Sequence, residues 1–476
     1  MNGHRYWLTR FVFERALGVI YLVAFVSAVN QFVPLLGEHG LVPVPAFTAN
    51  VPFWNSPSLF YLFPTDVAFR IAAWLGVVLS CLVISTIPQR AGTWAAAATW
   101  GVLWLLYLSF VNVGQIFYGF GWETLLLETG FLAIFLGGWN SEPSTIVIYL
   151  LRWVAFRIMF GAGLIKLRGD PCWRDLTCLD YYFETQPIPN ALSWYFHWMP
   201  AAVHHAGVVF NHIAELVVPW GLFVPQPFAT IAAIVIIAFQ LVLIASGNLS
   251  WLNWLTIVLA IAAIDGRWLA WIPVRPPELA APSTRHRQLV YVLAAAVVLL
   301  SIAPAANMLS SEQVMNTSFE PFHIVNTYGA FGAITRVRDE IVIEGTDDDP
   351  APPAAVWKEY EFKGKPGDLS RMPPQIAPYH LRLDWLMWFA AMERPAAHEE
   401  WFNPLIAKLL MGDAQTLGLL RENPFPGGAP RYIRAQLFDY TFTTPDERRS
   451  SGRWWNRRLL GTYLPAVSLA DARPMR

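Results

Sequence analysis

Charge is what this 476-residue chain has least of: Asp, Glu, Lys and Arg make up 14 % of it, against 55 % hydrophobic residues. A soluble domain usually carries about 25 % charge. The shortage excludes a disordered chain, which would be poor in apolar residues. It also argues against an ordinary soluble enzyme. A net charge of −1 excludes a nucleic-acid binder driven by bulk positive charge. Three cysteines exclude a disulfide scaffold. There is no Ser/His/Asp elbow, phosphate-binding glycine loop, Cys/His zinc spacing, internal repeat or lipidation motif.

The charges that are present fall unevenly. Met1–Leu309 holds 14 of the 33 basic and 13 of the 34 acidic residues, leaving 19 and 21 for Ser310–Arg476. The pattern predicts a multispan all-α membrane domain over 1–309, then a soluble domain over 310–476. A helix needs about 20 mostly apolar residues to cross the hydrocarbon core. About nine segments qualify as candidates: 12–33, 67–87, 93–111, 122–137, 145–165, 203–223, 227–246, 249–264 and 288–306. The fourth and eighth are short.

Nine spans with a cytoplasmic N-terminus place Arg5, Arg10, Arg90, Arg267, Arg275, Arg285 and Arg287 on the cytoplasmic side. The other face keeps mostly Lys166, Arg168 and Arg174. This bias follows the positive-inside rule and makes the C-terminal domain exoplasmic. The loop 167–202 then faces an oxidising compartment. A disulfide between Cys172 and Cys178 is expected there, with two free thiols as the other reading.

Ionisable residues inside spans are costly and are candidates for function. The fourth span carries Glu123 and Glu128. The fifth carries Arg152 and Arg157 and ends at Lys166, the one lysine of the membrane part. If the two spans run antiparallel, depth matches Glu123 with Lys166 and Glu128 with Arg157. Buried lysine can lose its proton and act as a base, which arginine does not. The sixth span offers His212 and Glu215 on one helix face. With no second set of ligands, no metal is assigned.

The last part reads as α+β. Alternating runs at Glu340–Glu344, Val356–Lys363 and Tyr432–Phe442 predict strands. Leu381–Met392 and Trp401–Leu420 predict helices, with Pro- and Gly-rich connections such as 349–353. The tail Arg448–Arg458, with Trp454, Trp455, Arg457 and Arg458, is a candidate surface for docking a client or lipid headgroups.

Long segments resemble the lipase maturation factor family. They include Arg157-Ile-Met-Phe-Gly-Ala-Gly-Leu-Ile-Lys-Leu-Arg-Gly-Asp170, Cys172-Trp-Arg-Asp-Leu-Thr-Cys178, Gly114–Gly130, Asn326-Thr-Tyr-Gly-Ala-Phe-Gly332 and Tyr379–Met392. The resemblance implies a membrane protein that assists folding and assembly of secreted lipases or other exported proteins, with a lumenal C-terminal domain that contacts the client. The implied compartment is the endoplasmic reticulum for a eukaryotic chain and the plasma membrane for a bacterial one. A fainter resemblance, through Ala162, Gly163, Lys166, Leu167, Asp170 and Trp173, is to the vitamin K-dependent carboxylase superfamily. It implies an alternative: a membrane enzyme using Lys166 as base on a quinol or lipid-like substrate. The first reading expects no cofactor. With no complete catalytic constellation, the balance leans away from an enzyme.

Overall fold

A computed structural model describes residues 3–349, 355–393 and 399–472. Of the Pro-rich connection expected at 349–353, residues 350–353 lie outside that set. Among the described residues, seven helices are long and apolar enough to cross a membrane. They are α1 (Trp7–Leu36), α2 (Asp66–Ile84), α3 (Thr93–Val113), α5 (Thr145–Arg168), the composite α6 (Ala201–Phe223), α7 (Phe228–Ser246) and α9 (Thr284–Leu309). This corrects the expected count of nine. The other two segments form α4 (Gly121–Ala133) and α8 (Leu252–Ile261), of 13 and 10 residues.

At about 1.5 Å per residue, neither of these helices reaches across ~30 Å of hydrocarbon. Their backbone polar groups are sheltered by neighbours instead. Twelve of the residues of α4 are buried, and the α8 start packs beside it, with Trp251 Nε1 donating to Trp122 O at 3.0 Å. Their apolar sequence therefore reports protein core rather than lipid contact. The outer helices behave in the opposite way. On α2, Val67, Ile71, Trp74 and Val78 are exposed, as are Val292, Val298 and Leu299 on α9. Such a predominantly apolar exterior, with Arg70 near the start of α2 as its exposed charge, belongs against lipid tails, not water.

Glycines set two close approaches along α5. A Cβ at Gly161 would lie 2.5 Å from Tyr328 O, and one at Gly163 would lie 2.7 Å from the Leu216 side chain. The first admits the segment after the bundle; the second admits α6. That helix is not regular. Its α-helical start (Ala201–His212) widens into a π-turn over Ile213–Val217 and tightens to a 3-10 turn over Val218–Phe223.

The C-terminal part is a four-stranded antiparallel sheet of order β2-β1-β3-β4, flanked by helices. Its strands are β1 (Arg338–Thr346), β2 (Lys358–Glu359), β3 (Tyr432–Phe442) and β4 (Trp455–Ser468). The helices include α10 (Arg382–Met392) and α11 (Glu399–Leu410). Three expectations change here. The strand expected at Val356–Lys363 shrinks to two residues, with an isolated bridge at Glu361. The helix expected at Trp401–Leu420 splits, because Asp413 caps a new turn at Ala414. The expected docking tail leads, from Trp455, into a 14-residue edge strand that is not among the predicted strands. Its pattern is irregular because bulges interrupt the pairing with β3, and only an edge tolerates Pro465.

The sheet is not a separate body on a tether. One continuous apolar cluster runs from Phe13 and Leu126 in the bundle to Trp385, Ile341 and Leu405 in the C-terminal part. Gln31 near the end of α1 donates to His380 O at 2.6 Å and accepts from Arg382 N at 3.0 Å.

Candidate functional site

The charged residues expected inside the bundle form three separate knots at the end facing the sheet, plus one at the opposite end. Glu123, at the start of α4, accepts from Arg382 Nη1 at 2.7 Å and from the Tyr107 hydroxyl. Both side chains of the Glu123–Arg382 pair are completely buried. The expected match of Glu123 with Lys166 is thus corrected. Its partner comes from α10, beyond the reach of a pairing argument confined to the spans.

Glu128, one turn deeper, pairs with Arg157 of α5. It also accepts from the Tyr328 hydroxyl at 2.6 Å and from Asn326 N and Nδ2 at 3.2 Å each. Arg157 Nη1 returns a bond to Asn326 O at 2.6 Å. The segment Asn326–Tyr328 is therefore clamped inside the bundle by a carboxylate and a guanidinium.

Lys166 belongs to the third knot. Its Nζ donates to Glu215 Oε1 at 2.6 Å and to Asn211 Oδ1 at 2.9 Å, and Asn211 Nδ2 donates to Glu215 Oε2 at 3.1 Å. The indole of Trp173 lies 4.8 Å from the ammonium. The π-turn at Ile213–Val217 carries Glu215 in this arrangement, and such turns recur at functional sites. His212 does not join: its Nε2 donates to Trp173 O at 2.9 Å. Arg152 stands apart at the far end, donating to Ala262 O, Leu222 O and the Tyr6 hydroxyl. It closes helix ends there.

Beside Lys166 opens a cavity of about 620 Å³, walled by α5, α6, α7, α8 and α10. The loop carrying the cysteines forms one rim. Cys172 and Cys178 are joined, with Cα atoms 4.8 Å apart. The loop is stitched to the chain that follows the bundle: Trp173 Nε1 donates to Phe331 O at 2.8 Å, and Asp170 pairs with Arg336 at 2.7 Å. The Arg336 guanidinium, with the Cys172 and Ile334 amides, holds the Asp170 carboxyl down at about 2. Opening the bridge by Cys172→Ser should cost about 2 kcal/mol, the low end for a bridge because the ring is short. Thermal unfolding should show a lower midpoint, while protease protection of the membrane helices stays unchanged.

A second contact joins this loop to the sheet and responds to pH. Glu184 Oε2 accepts from Phe442 N at 2.6 Å, and burial raises its carboxyl from 4.5 to about 7. A raised folded value means the folded state holds the proton more tightly. Its stabilising share is full below about 4.5 and is lost as pH rises through about 7. The melting midpoint should therefore fall between pH 5 and pH 8, and Glu184→Gln should flatten that slope. An equal slope in the variant would refute the assignment.

The expected docking surface is largely covered. Trp454 and Trp455 are 5 % and 1 % exposed. Trp455 stacks on Phe442, and Trp454 packs with Trp194 from the membrane-domain loop. The sheet consumes them in its own attachment. Arg457 pairs with Glu359 at 2.6 Å, and Arg458, at 75 % side-chain exposure, pairs with Asp439 at 2.9 Å.

The sequence pattern missed Arg382, Asn211, Tyr107 and Tyr328. Asn211 was legible in principle, being four residues from Glu215 on the same helix. Tyr107 lies on the preceding long helix, 16 residues from Glu123, and Tyr328 and Arg382 lie 200 and 259 residues from their partners, with no spacing to betray them.

Residues 8–271 match the family model described as the lipase maturation factor transmembrane domain, and residues 324–465 match the lipase maturation factor C-terminal domain. Lipase maturation factor 1 of Mus musculus is 43 % identical over 512 residues, covering 98 % of this chain and 88 % of its own. The Homo sapiens protein of the same name is 43 % identical over 513 residues, covering 98 % and 89 %. Lipase maturation factor 2 of Xenopus laevis is 29 % identical over 611 residues, covering 99 % and 84 %. No solved structure matches.

Proposed function

Because the chain belongs to the lipase maturation factor family, we propose that it is a membrane-bound factor assisting the folding and assembly of secreted lipases, in a chaperone-like way and without bond-making chemistry. The near-full-length similarity carries this reading. In it, the N-terminus is cytoplasmic and the sheet faces the exoplasmic side, where a secreted client passes. The buried Glu123–Arg382 pair supports it physically. A sheet locked to the bundle presents a fixed surface at a set height above the membrane.

The carboxylase-like alternative has one observation in its favour, the cavity reaching Lys166. The ion pair weighs against it. The Nζ is already held by Glu215 and Asn211 rather than open to a substrate.

The test is complementation. The chain is expressed in cells lacking a lipase maturation factor, and secreted lipase activity is measured per unit of lipase protein. Wild type should restore activity. The double variant Lys166→Met/Glu215→Leu removes the pair without stranding a charge, and should keep at least half of that gain. Loss of all activity in the double variant at normal abundance would sink the non-catalytic reading. No rescue by wild type would sink the lipase client.

A further inference from the structure

The chain between α1 and α2 has a composition that contact with water does not explain. Residues 40–65 contain no Asp, Glu, Lys, Arg or His. At ordinary usage of about 25 % charge, those 26 residues would carry about six charges. Yet much of the segment is surface: Trp54, Leu62 and Phe63 are 75 %, 71 % and 67 % exposed. Charge returns only at the neck. There Glu38 N donates to Asp66 Oδ1 at 2.8 Å, and Asp66 N donates to Glu38 Oε2 at 2.9 Å, tying the two ends together.

The depth of this loop follows from α3. That helix has 21 residues, about 31 Å, and so matches the ~30 Å hydrocarbon core. The loop runs beside its last turn rather than above it. Ser58 Oγ donates to Ser109 O at 2.9 Å, and Leu59 N donates to Ser109 Oγ at 3.1 Å. Ser56 Oγ donates to Asn112 O at 2.6 Å, and Asn112 Nδ2 donates back to Pro57 O at 2.8 Å. Ser109 lies four residues, about 6 Å, inside the end of the helix at Val113. Phe60 is packed among Phe32, Phe69 and Phe110, which fixes the loop at that height.

Two neighbours extend the patch. Asn112 Nδ2 also donates to Pro321 O at 3.0 Å, which brings exposed Phe319 and Phe322 alongside. Glu320, between them, spends its carboxylate on the Phe322 and Ile324 amides. On the other side the patch continues into the lipid-facing exterior of α2 at Val67 and Ile71. Arg70, the exposed charge there, stands one turn from Asp66 and has a stem long enough to lift its guanidinium to the headgroups.

We infer that residues 51–63 lie in the membrane, at the level where acyl chains meet headgroups in the leaflet on the sheet side, with Trp54 and Phe63 as anchors. The partner is a neutral lipid surface, because the loop offers no charge to an ionic one. A protein client is the other surface an apolar patch fits, but the depth beside Ser109 and the continuity with α2 favour lipid. The immersion is independent of whether the client is a lipase.

The experiment uses the full chain with its one free thiol removed by Cys81→Ala; Cys172 and Cys178 are bridged. A nitroxide is attached at Trp54→Cys or Phe63→Cys, and the protein is placed in phosphatidylcholine nanodiscs. Ile71→Cys is the lipid reference, and Ser450→Cys, on the exposed helix Pro445–Ser451, is the water reference. Collisions with a water-soluble nickel chelate should be about tenfold rarer at 54 and 63 than at 450, because acyl chains hold little water. Collisions with oxygen should match those at 71, and added phosphatidylglycerol should change neither. Either label carries the test if the other variant does not fold. Nickel collisions as frequent as at 450 would overturn the inference. So would protection that appears only when a lipase is added, which would give the patch to a client, or protection that requires phosphatidylglycerol.

Discussion

Replacing Arg382 with methionine is expected to release the C-terminal sheet from the bundle and cost about 3–5 kcal/mol, the range for breaking a buried ion pair from one side. The substitution strands Glu123, whose side chain is fully buried and left with the Tyr107 hydroxyl and, 3.7 Å away, His380 Nδ1. It also removes the bond from Arg382 Nη1 to Phe117 O at 2.6 Å. Limited proteolysis should then cut between residues 310 and 337, where wild type resists. The companion change Glu123→Leu in the same chain should restore most of the loss, because it takes out both charges together. Failure of the double variant to recover would mean that Arg382 acts through packing over Tyr118, 3.4 Å from its ring, rather than through charge.

Arg157→Met is expected to be nearly as damaging, again by about 3–5 kcal/mol. Glu128 would keep the Tyr328 hydroxyl and the Asn326 amides but lose its only buried cation among the described residues. The effect has a particular address. Asn326 O loses its donor as well, so the segment Asn326–Tyr328 should loosen before the helices do. Hydrogen exchange should show faster exchange at Asn326 and Gly329 with little change at the centre of α1. Uniform exchange across the bundle would contradict that order of events.

These residues also show what a sequence can disclose. Helices with lipid-facing surfaces are legible because their outer positions are almost wholly apolar, as on α2, where Arg70 is the one charge among the exposed positions from Val67 to Val78. The depth argument that set Glu128 opposite Arg157 used only rise per residue and direction, which suffices when both partners lie on adjacent helices. It misdirected Glu123, because Arg382 is 259 residues away and no local period records such a contact. The two short helices were read as spans for a related reason. Burial in protein and burial in lipid select the same side chains, so composition does not separate them. The tail at Trp454–Arg458 showed the converse. Aromatic and cationic residues suit a docking face, but they suit equally the seam by which a sheet is fastened, and packing places Trp454 and Trp455 in that seam while Arg458 stays exposed.

The contact between α4 and the later chain also sets a timetable. Glu123 and Glu128 leave the ribosome long before Asn326, Tyr328 and Arg382 exist to satisfy them. During that interval the end of the bundle that will face the sheet carries one carboxylate, Glu123, whose cation has not yet been synthesised. The helices can insert, but this pairing forms only once α10 is made. Docking of α10 thus completes the buried pairing of the membrane part, and a chain that stops before Arg382 leaves Glu123 without its cation.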